Sequence, residues 1–173
     1  MKKFLQFSGL IACAVALVGF VLLLACHGIV GTDNPSANWY SSGAVLFGKG
    51  PAQATLVITV SGTFEGKASG AALVSWIFSL VALLALVCAA VLPLLKNKKL
   101  LKVAGLVNLC AAVLLLVAGI VLFFALPSFA GANEWNSTNG WSLSGGWIVA
   151  SILYIVAGAV ALCPTVIDFV SKK

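Results

Sequence analysis

The chain has no arginine, a single histidine and few charged side chains of any kind, which make up 8% of its 173 residues. A soluble domain typically carries about 25% charged residues. The composition is instead 62% hydrophobic, with a mean hydropathy of +1.15. These values argue against an ordinary water-soluble domain. They also argue against a nucleic acid partner, which would require a basic face with interleaved aromatic residues.

Charge is also missing from long stretches of the chain. Four segments of bilayer-spanning length contain no Asp, Glu, Lys or Arg. A transmembrane helix needs about 20 consecutive apolar residues. We therefore predict an all-α membrane protein, a four-transmembrane-helix antiparallel bundle with a small antiparallel β-sheet or hairpin in its outer loops. The single predicted domain covers residues 1–173, and its spans lie at about 4–30, 70–95, 100–126 and 145–170.

No motif for catalysis, cofactor binding or metal binding is present. The sequence lacks a phosphate-binding glycine loop, a serine nucleophile elbow and an HExxH motif. Its only histidine, His27, lies at the outer end of the first predicted span. Coupled transport normally needs ionisable groups deep in the membrane, and no Asp, Glu, Lys or Arg lies there. We predict a protein that is not an enzyme and that has no catalytic residue, cofactor or metal site.

The five cysteines form no CxxC pair and no Cys/His cluster with the spacing of a metal site. All lie in or at the edge of apolar segments, so we interpret them as small buried residues. One alternative concerns Cys26, because Leu-Leu-Ala-Cys at 23–26 resembles a lipoprotein processing site. A signal peptide has an apolar region of about 7–15 residues. The first apolar run is near bilayer length, which favours a retained helix over cleavage at Cys26.

The lysines indicate how the chain is oriented. Eight of the ten lie before the first span, between the second and third spans, or at the end of the chain. Cytoplasmic loops are enriched in lysine. We therefore predict a multi-pass protein of the cell membrane with both termini and the loop 96–102 in the cytoplasm. The loops 31–69 and 127–144 then face outward.

The first outer loop contains the clearest local pattern in the chain. Within 55–64, apolar side chains alternate with threonine and serine, which is typical of a half-buried strand. The apolar side of this candidate contact strand consists of Leu56, Ile58, Val60 and Phe64. A first strand at 44–47 and a loop at 49–53 would complete a hairpin over about 44–64. A lone hairpin is marginally stable, so we expect it to rest on the helix ends or to gain a strand from 141–144.

Few polar residues lie inside the predicted spans. Asn108 is the most polar of them, and both Asn108 and Tyr154 can hydrogen-bond to a neighbouring helix. Such bonds are worth about 1 kcal/mol in membranes, so we interpret the two residues as intramembrane polar contacts between helices. The alternative is a small channel or facilitator with an uncharged path through Asn108, Tyr154, Ser75 and Ser79.

The second and fourth spans share a sequence pattern. Placing Gly70 on Gly145 aligns Cys88 with Cys163, and a proline follows closely in both spans. Matches arise often by chance among so many apolar residues, so the pattern is a weak indication of an internal repeat. It predicts two parallel helices of similar shape.

The predicted outer side is also marked by aromatic residues and by one sequon. The aromatic residues near the outer ends of the spans are Trp39, Tyr40, Trp135, Trp141 and Trp147, which fits an interfacial belt. Asn136 begins the sequence Asn-Ser-Thr, an acceptor pattern for N-linked glycans.

Four spans, inside termini, a large strand-bearing first outer loop and a shorter second one together resemble the claudin-like tetraspan proteins (the claudin and peripheral myelin protein group). The resemblance implies a small outer sheet over a left-handed four-helix bundle. It also implies a role in membrane organisation or surface contact, with the lipid bilayer, a second copy or another membrane protein as partners. Trp39 is the candidate for the first tryptophan of the claudin loop signature. The Gly-Leu-Trp and the two cysteines that should follow it are absent.

Overall fold

The computed structural model describes residues 2–55, 59–95 and 98–170 and contains four long helices. In chain order the helices are α1 (Lys2–Ala25), α2 (Ser42–Phe47), α3 (Gly70–Val91), α4 (Lys98–Leu122), α5 (Ala125–Ala132) and α6 (Gly145–Val170). Among them α1, α3, α4 and α6 are long and apolar enough to cross a membrane. The helices expected from the uncharged segments are therefore present.

Three of the long helices end earlier than their predicted spans. α1 ends at Ala25, because the chain then turns into a strand. α3 ends at Val91 and continues as a 3-10 turn, Leu92–Leu95, which contains Pro93. Proline has no backbone N–H to donate to an α-helical hydrogen bond. α4 ends at Leu122, and a two-residue turn separates it from α5.

The four long helices form a ring in cross-section. α1 packs against α3 and α6, and α4 packs against the same two helices, so α1 lies diagonally opposite α4. The start of α1, the connection from α3 to α4 and the end of α6 share one end of the ring, which we call the lysine end. The strands join the opposite ends of the helices, which we call the sheet end.

Small residues occupy most interior positions of the ring, and many large apolar residues point away from it. The larger side chains that are fully buried in the long helices include Leu23, Leu86, Leu115, Leu122, Trp147 and Tyr154. Fully buried positions of the long helices include Ala12, Ala16, Ala72, Ser75, Ser79, Ala82, Ala111, Ala118, Ala150, Ala157 and Ala161. Exposed positions include Leu17, Val18, Ile77, Leu84, Leu106, Val113, Ile120, Val149 and Ile152. A helix of a water-soluble bundle shows the reverse arrangement, with large apolar side chains facing the core.

Glycines let α4 and α6 approach each other closely. A Cβ atom on Gly119 would lie 2.7 Å from the carbonyl oxygen of Ser151, and one on Gly158 would lie 2.9 Å from the carbonyl oxygen of Ala112. Separations below 3.0 Å are essentially never seen for real Cβ atoms. The contact between these two helices therefore requires glycine at both positions.

The cysteines are not all buried, contrary to the prediction. Cys88, Cys110 and Cys163 are exposed on the outside of the ring, and Cys13 and Cys26 are half-buried. The prediction assumed that apolar surroundings mean burial. In this ring the outward positions are apolar as well, so hydrophobic flanking sequence does not reveal which way a side chain points.

An antiparallel sheet covers the sheet end. Its strands are β1 (Ile29–Gly31), β2 (Trp39–Tyr40), β3 (Lys49–Thr55), β4 (Thr59–Glu65) and β5 (Trp141–Leu143). Their order across the sheet is β4-β3-β2-β1-β5. β5, from the loop 127–144, belongs to this sheet as expected for 141–144, but it pairs with β1 rather than with the hairpin of β3 and β4.

Residues 44–47 form part of α2, although the sequence predicted a strand there. The hydroxyl of Ser41 caps the helix by accepting the N–H of Ala44 at 3.2 Å. The helix ends at Gly48, whose φ of 73° lies in the left-handed region that favours glycine. A short apolar run does not by itself distinguish a buried helical turn from a strand, which explains the wrong assignment.

The hairpin that follows α2 covers 49–65 rather than 44–64. The predicted loop at 49–53 belongs to β3, which pairs along its whole length with β4 and places Thr55 opposite Thr59. The chain therefore reverses direction inside the segment that the alternation had assigned to one strand. Both arms of a hairpin show the same alternation, so the pattern did not locate the reversal.

Candidate functional site

The hairpin of β3 and β4 has one apolar and one polar face. Because successive residues of a strand point to opposite faces, the pairing register assigns each side chain to a face. The apolar face carries Tyr40, Ala52, Ala54, Val60, Gly62 and Phe64, and the polar face carries Lys49, Gln53, Ser61, Thr63 and Glu65. The apolar face turns toward α5, because Tyr40 and Phe64 both contact Phe129 there.

Five aromatic rings attach the base of the hairpin to the helices. This aromatic cluster consists of Tyr40, Phe64, Phe129, Trp135 and Trp141. The centroid of Tyr40 lies 5.2 Å from that of Phe64 and 5.7 Å from that of Trp135. Its distances to the centroids of Phe129 and Trp141 fall between these two values. Aromatic pairs at such separations contribute about 0.5–1.5 kcal/mol each beyond the area they bury. Since the rings come from both outer loops, the cluster joins the loops into one unit.

Packing in the aromatic cluster changes the acidity of Tyr40. The surrounding rings remove water from its phenol group, and loss of water disfavours the charged tyrosinate. Burial therefore raises the pKa of Tyr40 above its ordinary value. The ionisation of this one side chain reports whether the cluster is intact.

Beyond the aromatic cluster, the apolar face of the hairpin is open. Val60 is 67% exposed there. A shallow hollow of about 190 Å³ on this face is lined mainly by small and apolar residues, among them Tyr40, Ala52, Ala54, Val60 and Phe64. Exposed apolar surface of this kind is typical of contact sites.

The two described residues of the predicted contact strand lie in different places, one at the base of the hairpin and one further along it. Phe64 belongs to the aromatic cluster, and Val60 lines the hollow. Leu56 and Ile58 lie outside the described residues. Among the described strands β4 lies at one edge of the sheet, so none of them pairs with the backbone N–H and C=O groups of its outer edge. An exposed ion pair, Lys49 to Glu65 at 2.8 Å, links β3 to β4 at the base.

Asn133 connects the two outer loops, and sequence reasoning did not identify it. Its Oδ1 accepts the backbone N–H of Lys67 at 2.8 Å, and its Nδ2 donates to the carbonyl oxygen of Lys67 at 2.9 Å. The same Nδ2 donates to the carbonyl oxygen of Phe129 in α5 at 2.9 Å. The side-chain amide thus pairs with backbone as a neighbouring strand would. No local pattern marks such a contact, because its partners are 66 positions apart.

The two polar residues predicted inside the spans lie in the ring interior on different helices. The Nδ2 of Asn108 donates to the carbonyl oxygen of Ala161 at 2.6 Å and so links α4 to α6. Tyr154 is fully buried beside Ser79, whose hydroxyl donates to the carbonyl oxygen of Trp76 at 2.9 Å. Among the described residues, the Oδ1 of Asn108 has no hydrogen-bond partner, and the hydroxyl of Tyr154 lies next to that of Ser79 without a hydrogen bond of ordinary geometry.

The remaining titratable residues of the sheet end are dispersed. His27 is exposed and stacks on Trp39 with ring centroids 4.3 Å apart. Lys67 and Glu134 approach to 3.9 Å across the two loops, and both are exposed. Within the part of the chain that the structure describes, no three His, Cys, Asp or Glu side chains are grouped so that they could hold a metal ion.

Comparison of the chain with known protein families, with characterised proteins and with solved structures finds no match in any of the three.

Proposed function

We propose that the protein is an integral membrane protein whose four long helices cross a lipid bilayer. The observation that carries this proposal is the packing of the ring, in which most interior positions are alanine, glycine or serine and many large apolar side chains lie outside. Helix association in lipid depends on close packing of small residues. The same outer surface in water would form apolar patches far larger than a soluble monomer exposes.

The charge distribution supports an orientation with the lysine end in the cytoplasm. Eight lysines and one acidic residue flank the helix ends there, whereas the loops of the sheet end contain two lysines and three acidic residues. By the positive-inside rule, the sheet end faces outward. Both termini are then cytoplasmic.

We infer that the sheet end acts as a surface contact in a non-enzymatic, claudin-like tetraspan protein. Its support is the open apolar face of the hairpin, which the aromatic cluster attaches to the helices, beside the outer edge of β4. A sheet built from both outer loops over four helices is also the arrangement that the claudin resemblance implies. The partner class is a second copy or another membrane or surface protein. The loop cysteines of claudins are missing, so no residue role is carried over from that group.

Photocrosslinking in intact cells tests the contact surface. A photoreactive residue at Val60 samples the apolar face, and one at the adjacent Ser61 samples the polar face of the same strand. We expect discrete protein adducts from position 60 and few from position 61. Equal adducts from the two positions, or adducts with lipid alone from position 60, would contradict the proposal.

A channel or facilitator is the second candidate, and the buried polar atoms of Asn108 and Tyr154 in the ring interior favour it. Flux of small neutral solutes into reconstituted vesicles would test it. The candidate requires that Asn108→Leu abolish the flux while the circular dichroism spectrum stays unchanged. Vesicles with the unmodified protein that leak no faster than empty ones would exclude it.

Cleavage before Cys26 would remove α1 from the ring. Ala12 and Ala16 of α1 are fully buried, and the indole Nε1 of Trp147 donates to the carbonyl oxygen of Leu23 at 3.0 Å. These contacts favour a retained first helix over a lipoprotein processed at Cys26. Intact-mass measurement of the purified protein distinguishes the two, because cleavage would remove residues 1–25.

A further inference from the structure

The two helices that begin at Gly70 and Gly145 bury corresponding positions. A shift of 75 positions carries Gly70 onto Gly145, and it also carries every buried residue of α3 onto a buried residue of α6. Ser79, for example, corresponds to Tyr154. The sequence comparison used residue identities and did not use burial. The matching pattern of buried positions is therefore separate support for the repeat.

The residues before these helices correspond as well. Ser69 and Ser144 each accept the backbone N–H of the third residue along, at 3.3 Å. The hydroxyl of Ser69 donates to the carbonyl oxygen of Ala125, just beyond α4, and that of Ser144 donates to the carbonyl oxygen of His27, just beyond α1. Each N-cap therefore ties its helix to the end of a different long helix, which makes α1 the counterpart of α4.

Burial in α1 and α4 agrees with this correspondence. A shift of 99 positions carries Gly9 onto Asn108 and Leu23 onto Leu122, and all four residues are buried. Ala12, Ala16 and Gly19 also fall on buried positions of α4 under the same shift, whereas Ser8 falls on a half-buried one.

The corresponding helices occupy the diagonals of the ring, α1 opposite α4 and α3 opposite α6. Two helix pairs related in this way share a two-fold axis along the middle of the bundle. A residue that faces its own counterpart lies at that axis. Two pairs do so: a Cβ atom on Gly9 would lie 3.5 Å from the Oδ1 of Asn108, and Tyr154 lies beside Ser79.

Within the described residues, each axial pair contains a buried polar atom without a hydrogen bond of ordinary geometry: the Oδ1 of Asn108, and the hydroxyl of Tyr154, which lies next to Ser79. A polar atom left in this state costs about 1–3 kcal/mol. In folded proteins, ordered water commonly forms hydrogen bonds with buried polar groups that lack a protein partner. In membrane proteins built from repeats, binding sites lie where the repeats meet.

We propose that the chain is a tandem repeat of two helix pairs and that its axis binds ordered water at two places, against Tyr154 and against Asn108. The Oδ1 of Asn108 needs a donor, and the hydroxyl of Tyr154 can both donate and accept. Water satisfies both atoms. The inference goes beyond the proposed function, because it concerns the ring interior and holds whether or not the sheet end binds a partner.

Water-edited solid-state NMR on the full chain in phosphatidylcholine vesicles tests the proposal. Magnetisation from water should reach the Tyr154 ring and the Asn108 side-chain amide several-fold faster than the side chain of Ser75. Ser75 is equally buried, but its hydroxyl already donates to the carbonyl oxygen of Ala118 at 2.9 Å. Transfer no faster than to Ser75, or transfer from lipid chains alone, would overturn the proposal.

The variant Tyr154→Phe gives a second measurement. If water is bound, the variant loses a hydrogen bond and its unfolding temperature falls, by an amount comparable to that of Ser75→Ala. If the hydroxyl has no partner, removing it is neutral or stabilising. An unfolding temperature equal to or above that of the unmodified protein would therefore overturn the site at Tyr154. The NMR experiment uses the unmodified chain and does not depend on the variant folding.

Discussion

Asn133 illustrates how a single amide can replace a strand. Its three hydrogen bonds reach backbone groups of the first outer loop and of α5. Sequence reasoning selected Phe64 and Asn108, because alternation and depth in an apolar segment mark such residues. It missed Asn133, because a hydrogen bond between a side-chain amide and a distant backbone group produces no periodic pattern in the sequence.

Replacing Asn133 by alanine should loosen the link between the outer loops. Net hydrogen bonds contribute about 0.5–1.5 kcal/mol each, and these are partly exposed, so we expect a loss of roughly 1–2 kcal/mol in unfolding free energy. The amide of Lys67 should also exchange with solvent faster by hydrogen–deuterium exchange. Asn139→Ala, at an exposed position in the same loop, is the matched control. Protection of Lys67 that survives Asn133→Ala would contradict the assigned role.

The raised pKa of Tyr40 predicts an alkaline transition. Free tyrosine ionises near pH 10, about the value expected in the unfolded chain. Because the folded pKa is higher, the stabilisation linked to Tyr40 is fully present below that pH and is lost as pH rises through the folded pKa. The chain has two tyrosines, so Tyr154→Phe leaves tyrosinate absorbance to Tyr40 alone.

In that background, opening the aromatic cluster with Phe64→Ala should lower the titration midpoint of Tyr40 toward the ordinary value. Phe47→Ala removes a ring that instead pairs with Trp76 and should leave the midpoint unchanged. A midpoint that responds equally to both variants would show that the cluster is not the cause.

The long helices were predictable from the sequence, because a stretch without charge and of bilayer length has few alternative structures in lipid. Their ends were less predictable, since α1 stops shortly before a strand and α4 stops at a turn into α5 rather than where the apolar sequence stops. α2 was assigned to the wrong class because its three buried positions carry no helical period long enough to recognise. The register of the hairpin depended on where the chain reverses, which alternation does not encode.

The close approach of α4 and α6 can be tested with a pair of glycine variants in the same helix. Gly119→Ala places a Cβ atom against the backbone of α6 and should cost about 1–3 kcal/mol through overpacking. Gly105→Ala meets no atom within 4 Å, so it should be neutral or stabilise by up to about 1 kcal/mol through helix propensity. Unfolding in detergent micelles measures both. Equal effects of the two substitutions would show that α4 and α6 are not packed this closely.

For the molecule as a whole, the sequence predicts which ends of the helices lie together. The structure adds the sheet that covers one set of these ends. The two outer loops form one body, because β5 joins the sheet and Trp135 and Trp141 join the aromatic cluster. The sequences of the two loops suggest that the loops join, but they do not show which contacts hold the loops together.

The sequon at Asn136 offers a test of orientation, because Asn136 is exposed at the sheet end. In a eukaryotic host that adds N-linked glycans in the secretory pathway, an outward sheet end should acquire one glycan. Gel mobility and intact mass measure it, and Asn136→Gln should abolish the shift. Modification of a sequon placed in the loop 96–102, with none at Asn136, would mean that the chain has the opposite orientation.

The union of the loops has a consequence for how the protein matures after synthesis. β1 directly follows α1, but its partner β5 follows α5, so the ladder between them stays open until α4 and α5 have been synthesised. A nascent chain arrested after the third long helix would leave one edge of β1 open, while β2 pairs with the other edge. That open edge of β1 would distinguish an unfinished molecule from one in which β5 has joined the sheet.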